Sequence, residues 1–229
     1  MADPFKISLS VLLENIARDI QSEDYAVVAS ALEASSGSRL IEILSSKVAQ
    51  FKESKTPEFL IQTGQAKSKK KGKDRPVEPI EKPIIGCSVK LWLEKLKFVR
   101  SFTDGDVKSG MSNSALASKY EPAVVSHVKS IYPNLGKGEG SHKLRGVYSK
   151  ASYMLHEPTS SALLWVKKVL GHSNYSSVKN YDSVIVDRGP VARQDSVPIL
   201  LTELQSRISA LESRPAEIIA PDASGGIFI

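Results

Sequence analysis

The stretch from Ser141 to Val186, SHKLRGVYSKASYMLHEPTSSALLWVKKVLGHSNYSSVKNYDSVIV, limits what the chain can fold into more than any other. Ser141 stands just before HKLR as an N-cap residue would, its hydroxyl available to the amides that a helix's first turn leaves open. His142 and Arg145, three apart, should then leave one face of that turn, at the end of a helix that attracts anions. Farther on, an apolar helical run closes at Gly171 as at a C′ glycine, leaving His172 on a tight turn, with Tyr181 nine residues beyond. Pieces of separate helices are thus expected to meet at one pocket.

Arginine and histidine around a phosphate, with a tyrosine hydroxyl in reach, describe nucleophilic attack on a phosphodiester without a metal. The region before this stretch can add to it. Two amphipathic helices open the chain, one over Ile7 to Ile20 and a second capped by Asp24. After a break at Gly37, helical spacing resumes at Leu40, Ile41 and Leu44, which sets Arg39 at a helix start with Glu42 one turn on. Taken alone, that pair reads as a surface ion pair. Phe59 to Thr63 and Val77 to Ile85 read as paired strands joined by the lysine-rich GQAKSKKKGKDR. Pro76, Pro79 and Pro83 make the second an irregular edge, and a solvated loop is the competing description.

HKLR, then LGHS, then a tyrosine nine residues after His172 resemble the second motif box of the tyrosine recombinases, the lambda-integrase family. SALEASSGSRLIEILSSKV is similar to the first box, and TGQAK to the telomere resolvases (protelomerases), the branch that makes hairpin DNA ends. The resemblance covers roughly residues 24–186. It implies a catalytic set of Tyr181, Arg39, Arg145, His142, His172 and Lys67, with Glu42 orienting the region. Lys67 would protonate the leaving 5′ oxygen, while Lys69, Lys70, Lys71 and Lys73 compete for that role or contact phosphates. Telomere resolvases often carry lysine where this chain has His142, the residue of the wider recombinase family. Neither cofactor nor metal is implied. The fold implied is mainly α with a small antiparallel β-sheet: a catalytic domain over residues 1–190 with its basic hairpin at about 59–85. Recombinases of this kind usually close around DNA with a separate N-terminal domain, so a fragment, or a minimal protein relying on other subunits, is expected.

Other residues have plainer readings. His156 is structural, Tyr148 and Tyr153 pack, Tyr175 lies too close to the turn, and Trp92 belongs to the core. One helix is predicted from Ser88 to Phe102, ended by the turn-rich TDGD, with two more over Asn113–Lys119 and Pro122–Ile131. Residues 191–229 are expected to form a C-terminal helix and tail. Val197, Leu201, Leu204, Ile208 and Leu211 mark a short heptad seam that packs back on the domain or joins copies.

A net charge of +6 and a pI near 9.2 favour a polyanionic partner. Cys87 is the sole cysteine, which excludes an intrachain disulfide and a CxxC zinc site and suits an intracellular setting, in cytoplasm, nucleoid or nucleus. Met1 to Pro4 lack the basic region and apolar core expected of a signal peptide, and no apolar run reaches the ~18 residues that cross a membrane. The expected protein is a DNA breaking and rejoining enzyme, with site-specific recombination ahead of telomere resolution, acting on double-stranded DNA as a homo-oligomer through a 3′-phosphotyrosyl intermediate. The alternative is a noncatalytic DNA-binding relative that regulates a larger recombinase. A type IB topoisomerase shares the chemistry.

Overall fold

The computed structural model describes residues 5–66, 78–135, 140–156, 158–172 and 184–188. Its architecture is mainly helical, with a three-stranded antiparallel sheet and a separate two-stranded parallel pair. In order come β1 (Phe5–Ser8), α1 (Leu9–Asp19), α2 (Tyr25–Ser36), α3 (Leu40–Leu44), β2 (Gln50–Glu53), β3 (Phe59–Thr63) and β4 (Ile80–Pro83). They are followed by α4 (Val89–Lys108), α5 (Asn113–Ile131), a 3-10 turn at Pro133–Leu135, α6 (His142–His156), α7 (Ala162–Leu170) and β5 (Val184–Asp187). Among the described residues, no helix is long and apolar enough to cross a membrane.

The helix α2 is the axis of the molecule. Asp24 caps it, accepting from the Ala26 amide at 2.7 Å, and every residue from Val28 to Ser36 is buried, as suits a helix apolar nearly all round. Its alanines and serines let α1, α4, α5 and α6 pack closely around it. Gly37 ends it at φ +62°, where a Cβ would strike the Tyr148 ring and Leu170. Trp92, fully buried, donates its indole N–H to Leu32 O at 3.3 Å, in keeping with its expected place in the core.

Four local expectations change. The first helix starts at Leu9, because Phe5–Ser8 instead pairs in parallel with β5, Phe5 opposite Val184 and Ile7 opposite Val186. The TDGD segment does not end α4. Thr103 is buried and donates to Leu44 O at 2.6 Å, and Val107 is buried one turn later, so packing outweighs the local turn preference. The two helices expected on either side of Pro122 are one, carrying an unbroken buried stripe of Leu116, Tyr120, Val124 and Val128. The hairpin gains a third strand, β2, giving the order β2-β3-β4. Pro83 closes the edge strand β4 opposite Phe59, where a missing N–H is tolerated.

Candidate phosphate site

Three helix ends converge beside the sheet: the C-terminus of α2, the N-terminus of α3 and the C-terminus of α7. At the first, Gly37 turns the chain so that Arg39 becomes the N-cap of α3. Glu42 then folds back on it. One carboxylate oxygen, Oε2, accepts from the Arg39 amide at 2.9 Å, and Oε1 accepts from Arg39 Nη1 at 2.6 Å. Glu42 is 1% exposed and Arg39 15%, so the pair is largely withdrawn from solvent rather than the surface pair its spacing suggests.

Arg145 enters from the first turn of α6 and is 1% exposed. Its Nη1 donates to Gly37 O and its Nη2 to Leu170 O at 3.3 Å, so the guanidinium bridges the negative ends of two helices. Nη1 also lies 4.0 Å from Glu42 Oε2. One carboxylate is therefore flanked by two guanidiniums. Burial alone would raise the Glu42 carboxyl, but Arg145 first, then Arg39 and Lys82, outweigh it and hold the group at about 2. Among the described residues Arg39 Nε is buried with no hydrogen-bond partner. A donor so placed suits an anion that completes its shell.

The motif histidines flank this centre. A Schellman motif sets His172, whose amide donates to Lys167 O at 3.0 Å while the Gly171 amide donates to Lys168 O at 3.2 Å. Gly171, at φ +64°, lies where a Cβ would strike Gln65 and Ile80, which fixes this turn against the sheet. His172 is half-buried, next to the helix end whose Leu170 carbonyl holds Arg145. His142 opens α6 and is exposed, so it and Arg145 differ in burial although they share the first turn. Ser141 precedes them at the helix start, its carbonyl accepting from the Leu144 amide at 2.9 Å.

Tyr181, Lys67, Lys69, Lys70, Lys71 and Lys73 lie outside the described residues, as do Tyr175 and the segment 191–229. Their flanks are held. The Ala66 amide, just before Lys67, donates to Glu42 Oε1 at 3.1 Å. Val184, three residues after Tyr181, is 1% exposed, and its carbonyl accepts from Lys150 Nζ of α6. Tyr148 is buried and donates to Pro83 O at 2.8 Å, and His156 is half-buried against Phe59 and Trp165, both structural as expected.

Two ionisable groups here were not singled out by motif. Lys82 of β4 is 1% exposed and donates to Ser38 Oγ at 2.8 Å and to Gln62 Oε1 at 2.5 Å. Burial lowers it to about 7, Glu42 opposing and Arg145 and Arg39 adding to the shift. The signal for it is period-2 alternation, since Ile80 and Lys82 share the buried face of β4. Glu33, in the last turns of α2, is pushed up to about 8 by burial, against the Ser141 hydroxyl and Arg145. An acid amid the apolar run Ala31, Leu32, Ala34 is its sequence trace.

The solved structures most like this fold include a tyrosine-to-alanine variant of protelomerase TelA covalently complexed with substrate DNA. That match has TM-score 0.66 and 19% identity over 92% of this chain and 63% of the other. Protelomerase TelK complexed with substrate DNA matches with TM-score 0.64 and 16% identity, over 93% of this chain and 48% of the other. The chain thus spans about half to two thirds of these relatives' length. No curated protein matches the sequence. The model of the telomere resolvase ResT/TelK catalytic domain matches residues 5–183, and with Arg39, Glu42 and Arg145 gathered at one centre inside that range, the chain belongs to the ResT/TelK telomere resolvase catalytic domain family.

Proposed function

We propose that this chain is the catalytic portion of a telomere resolvase, which breaks double-stranded DNA through a 3′-phosphotyrosyl intermediate on Tyr181 and rejoins it without metal or ATP. The observation that carries this reading is the sharing of one buried carboxylate by Arg39 and Arg145, at 2.6 and 4.0 Å. Two cations on one anion leave a net positive charge, and planar guanidiniums suit phosphate oxygens. TelA has been solved with a DNA hairpin product, which supports hairpin closure ahead of exchange between two sites.

In the proposed reaction the Tyr181 oxygen forms a bond to phosphorus and the bond to the 5′ oxygen breaks, that oxygen taking a proton from Lys67. Arg39 and Arg145 neutralise the charge that grows on the equatorial oxygens. His142 serves as acid or base, and His172 holds a phosphate oxygen or positions Tyr181, whose phenol, ordinarily near ~10, needs a proton acceptor. A 5′ hydroxyl then attacks the phosphotyrosine, re-forming the diester and releasing the phenol. Lys69, Lys70, Lys71 and Lys73 contact neighbouring phosphates, so binding weakens steeply with salt.

The test begins with fragmented genomic DNA of the source organism. Denaturant-resistant adducts are captured, their DNA is sequenced, and a nicked duplex built on that sequence serves as substrate. Adduct is expected with the native protein and none with Tyr181→Phe. Arg39→Ala or Arg145→Ala is expected to slow its formation ~10²- to 10³-fold. Salt-sensitive binding with no adduct would instead identify a noncatalytic DNA-binding relative.

A further inference from the structure

Lys82 is a buried amine on an edge strand, where a hydrophobe of similar size would cost less. Its bonds show what it joins. Ser38, one acceptor, is the residue before Arg39, and its hydroxyl also accepts from Ser36 Oγ at 3.0 Å. Gln62, the other, belongs to β3 and donates to Gly64 O at 3.1 Å, toward the chain that leads to Ala66 and Lys67. One lysine nitrogen therefore ties the turn that presents Arg39 to the strand end that leads to Lys67.

The charges facing it are Arg39 and Glu42 from α3 and Arg145 from α6. The sheet contributes the Gln62 amide from β3 and the Phe51 ring of β2, 5.9 Å away. From α7, which packs on β4, Lys168 acts on Glu81 instead. With Lys82 charged, three cations surround one carboxylate. An added phosphate would bring a second negative charge, and a negative charge nearby favours the ammonium over the amine.

We infer that Lys82 is a positioning residue of the phosphate site: it locks Ser38 and Gln62 together so that Arg39 and the strand leading to Lys67 face one phosphate, and it takes up a proton from solvent when that phosphate docks. This rests on the reading of Arg39 and Arg145 as phosphate ligands.

The full chain is labelled with [13Cε]lysine, and the Lys82 resonance is assigned by its loss in Lys82→Met. Titration from pH 5 to 10 is run in the free protein, with inorganic phosphate, and with the nicked duplex. A Lys82 midpoint that rises by about one unit with either probe, and not in Arg39→Ala, is the expected result. A midpoint unmoved by both probes overturns the proposal. Since inorganic phosphate needs no cleavage, a protein that forms no adduct can still show the shift, which separates failure here from failure of the enzyme reading.

In kinetics, Lys82→Met should leave the Kd for the duplex within about threefold, slow adduct formation ~10- to 100-fold and flatten its pH profile near 7. Gln62→Glu, which puts a carboxylate against the ammonium, should move that profile upward. If Lys82→Met does not fold, Ser38→Ala and Gln62→Glu carry the test. A profile that stays native in the variants, or binding and adduct rate that fall in parallel, overturns it.

Discussion

At the scale of single residues, the buried charges around Arg145 govern how the protein responds to pH. Glu33 ordinarily titrates at 4.5 and is raised to about 8 by burial. Its contribution to stability is therefore complete below about 4.5 and is lost as pH rises through about 8. Glu33→Gln cannot ionise, so its Tm relative to the native protein should climb between pH 5 and 9, by about 5 °C or more. Thermal melts of both proteins across that range check this, and a difference independent of pH would refute it. Glu42 behaves oppositely. Held at about 2 by Arg145, Arg39 and Lys82 against its burial, it contributes stability present above about 4.5 and lost as pH falls through about 2. Glu42→Gln leaves the buried Arg145 guanidinium and the half-buried Arg39 guanidinium without their anion and is expected to cost about 3 kcal/mol in denaturant unfolding at pH 7.

At the scale of elements, α3 has only five residues and could not stand alone in water. It persists because its two ends are held from outside. Arg39 and Glu42 close its start, and Arg100 of α4 closes its end, donating to Ile43 O at 2.9 Å, Glu42 O at 3.0 Å and Ala49 O at 2.8 Å. Arg100→Met should therefore loosen the Arg39 turn although Arg100 itself belongs to no motif box. Amide exchange at residues 40–44 is expected to speed up at least ~10-fold, with α5 unchanged. Gly37 matters for a different reason. Alanine there would have to adopt φ +62° with its methyl pressed against the edge of the Tyr148 ring and Leu170, which should cost about 3 kcal/mol. Unfolding of Gly37→Ala by urea measures it.

At the scale of the whole molecule, the parallel pairing of β1 with β5 joins the beginning of the described chain to the segment just after Tyr181. Phe5, Ile7 and Val184 are buried in that seam. The double variant Phe5→Ser with Ile7→Ser removes its apolar side while leaving Arg39, Glu42 and Arg145 untouched. Amides of 184–187 should then exchange faster, and adduct formation should fall ~10-fold or more while DNA affinity stays near native. Native adduct rates in that variant would show that the seam has no part in holding the Tyr181 segment.

Legibility in the sequence followed the range of the interactions concerned. Short-range signals were plain: the Asp24 cap, Gly37 and Gly171 as helix stops, the core face with Trp92, and the boxes around Arg39 and Arg145. The strands β1 and β2, the continuation of α4 through Thr103 and the union of α5 across Pro122 were not, since each depends on partners distant in the chain. Lys82 and Glu33 left only a faint local trace, because the partners that surround them are likewise distant in the chain.

By itself, then, the sequence determined the mainly helical class, the basic charge and the family to which the motif boxes belong, because periodicity, capping and spacing are written in neighbouring residues. Only the tertiary structure decided that Arg39 and Arg145 share the Glu42 carboxylate, and that Lys82 lies beneath them beside Ser38 and Gln62. Burial and electrostatic coupling depend on distance in space, and only folding turns separation along the chain into proximity.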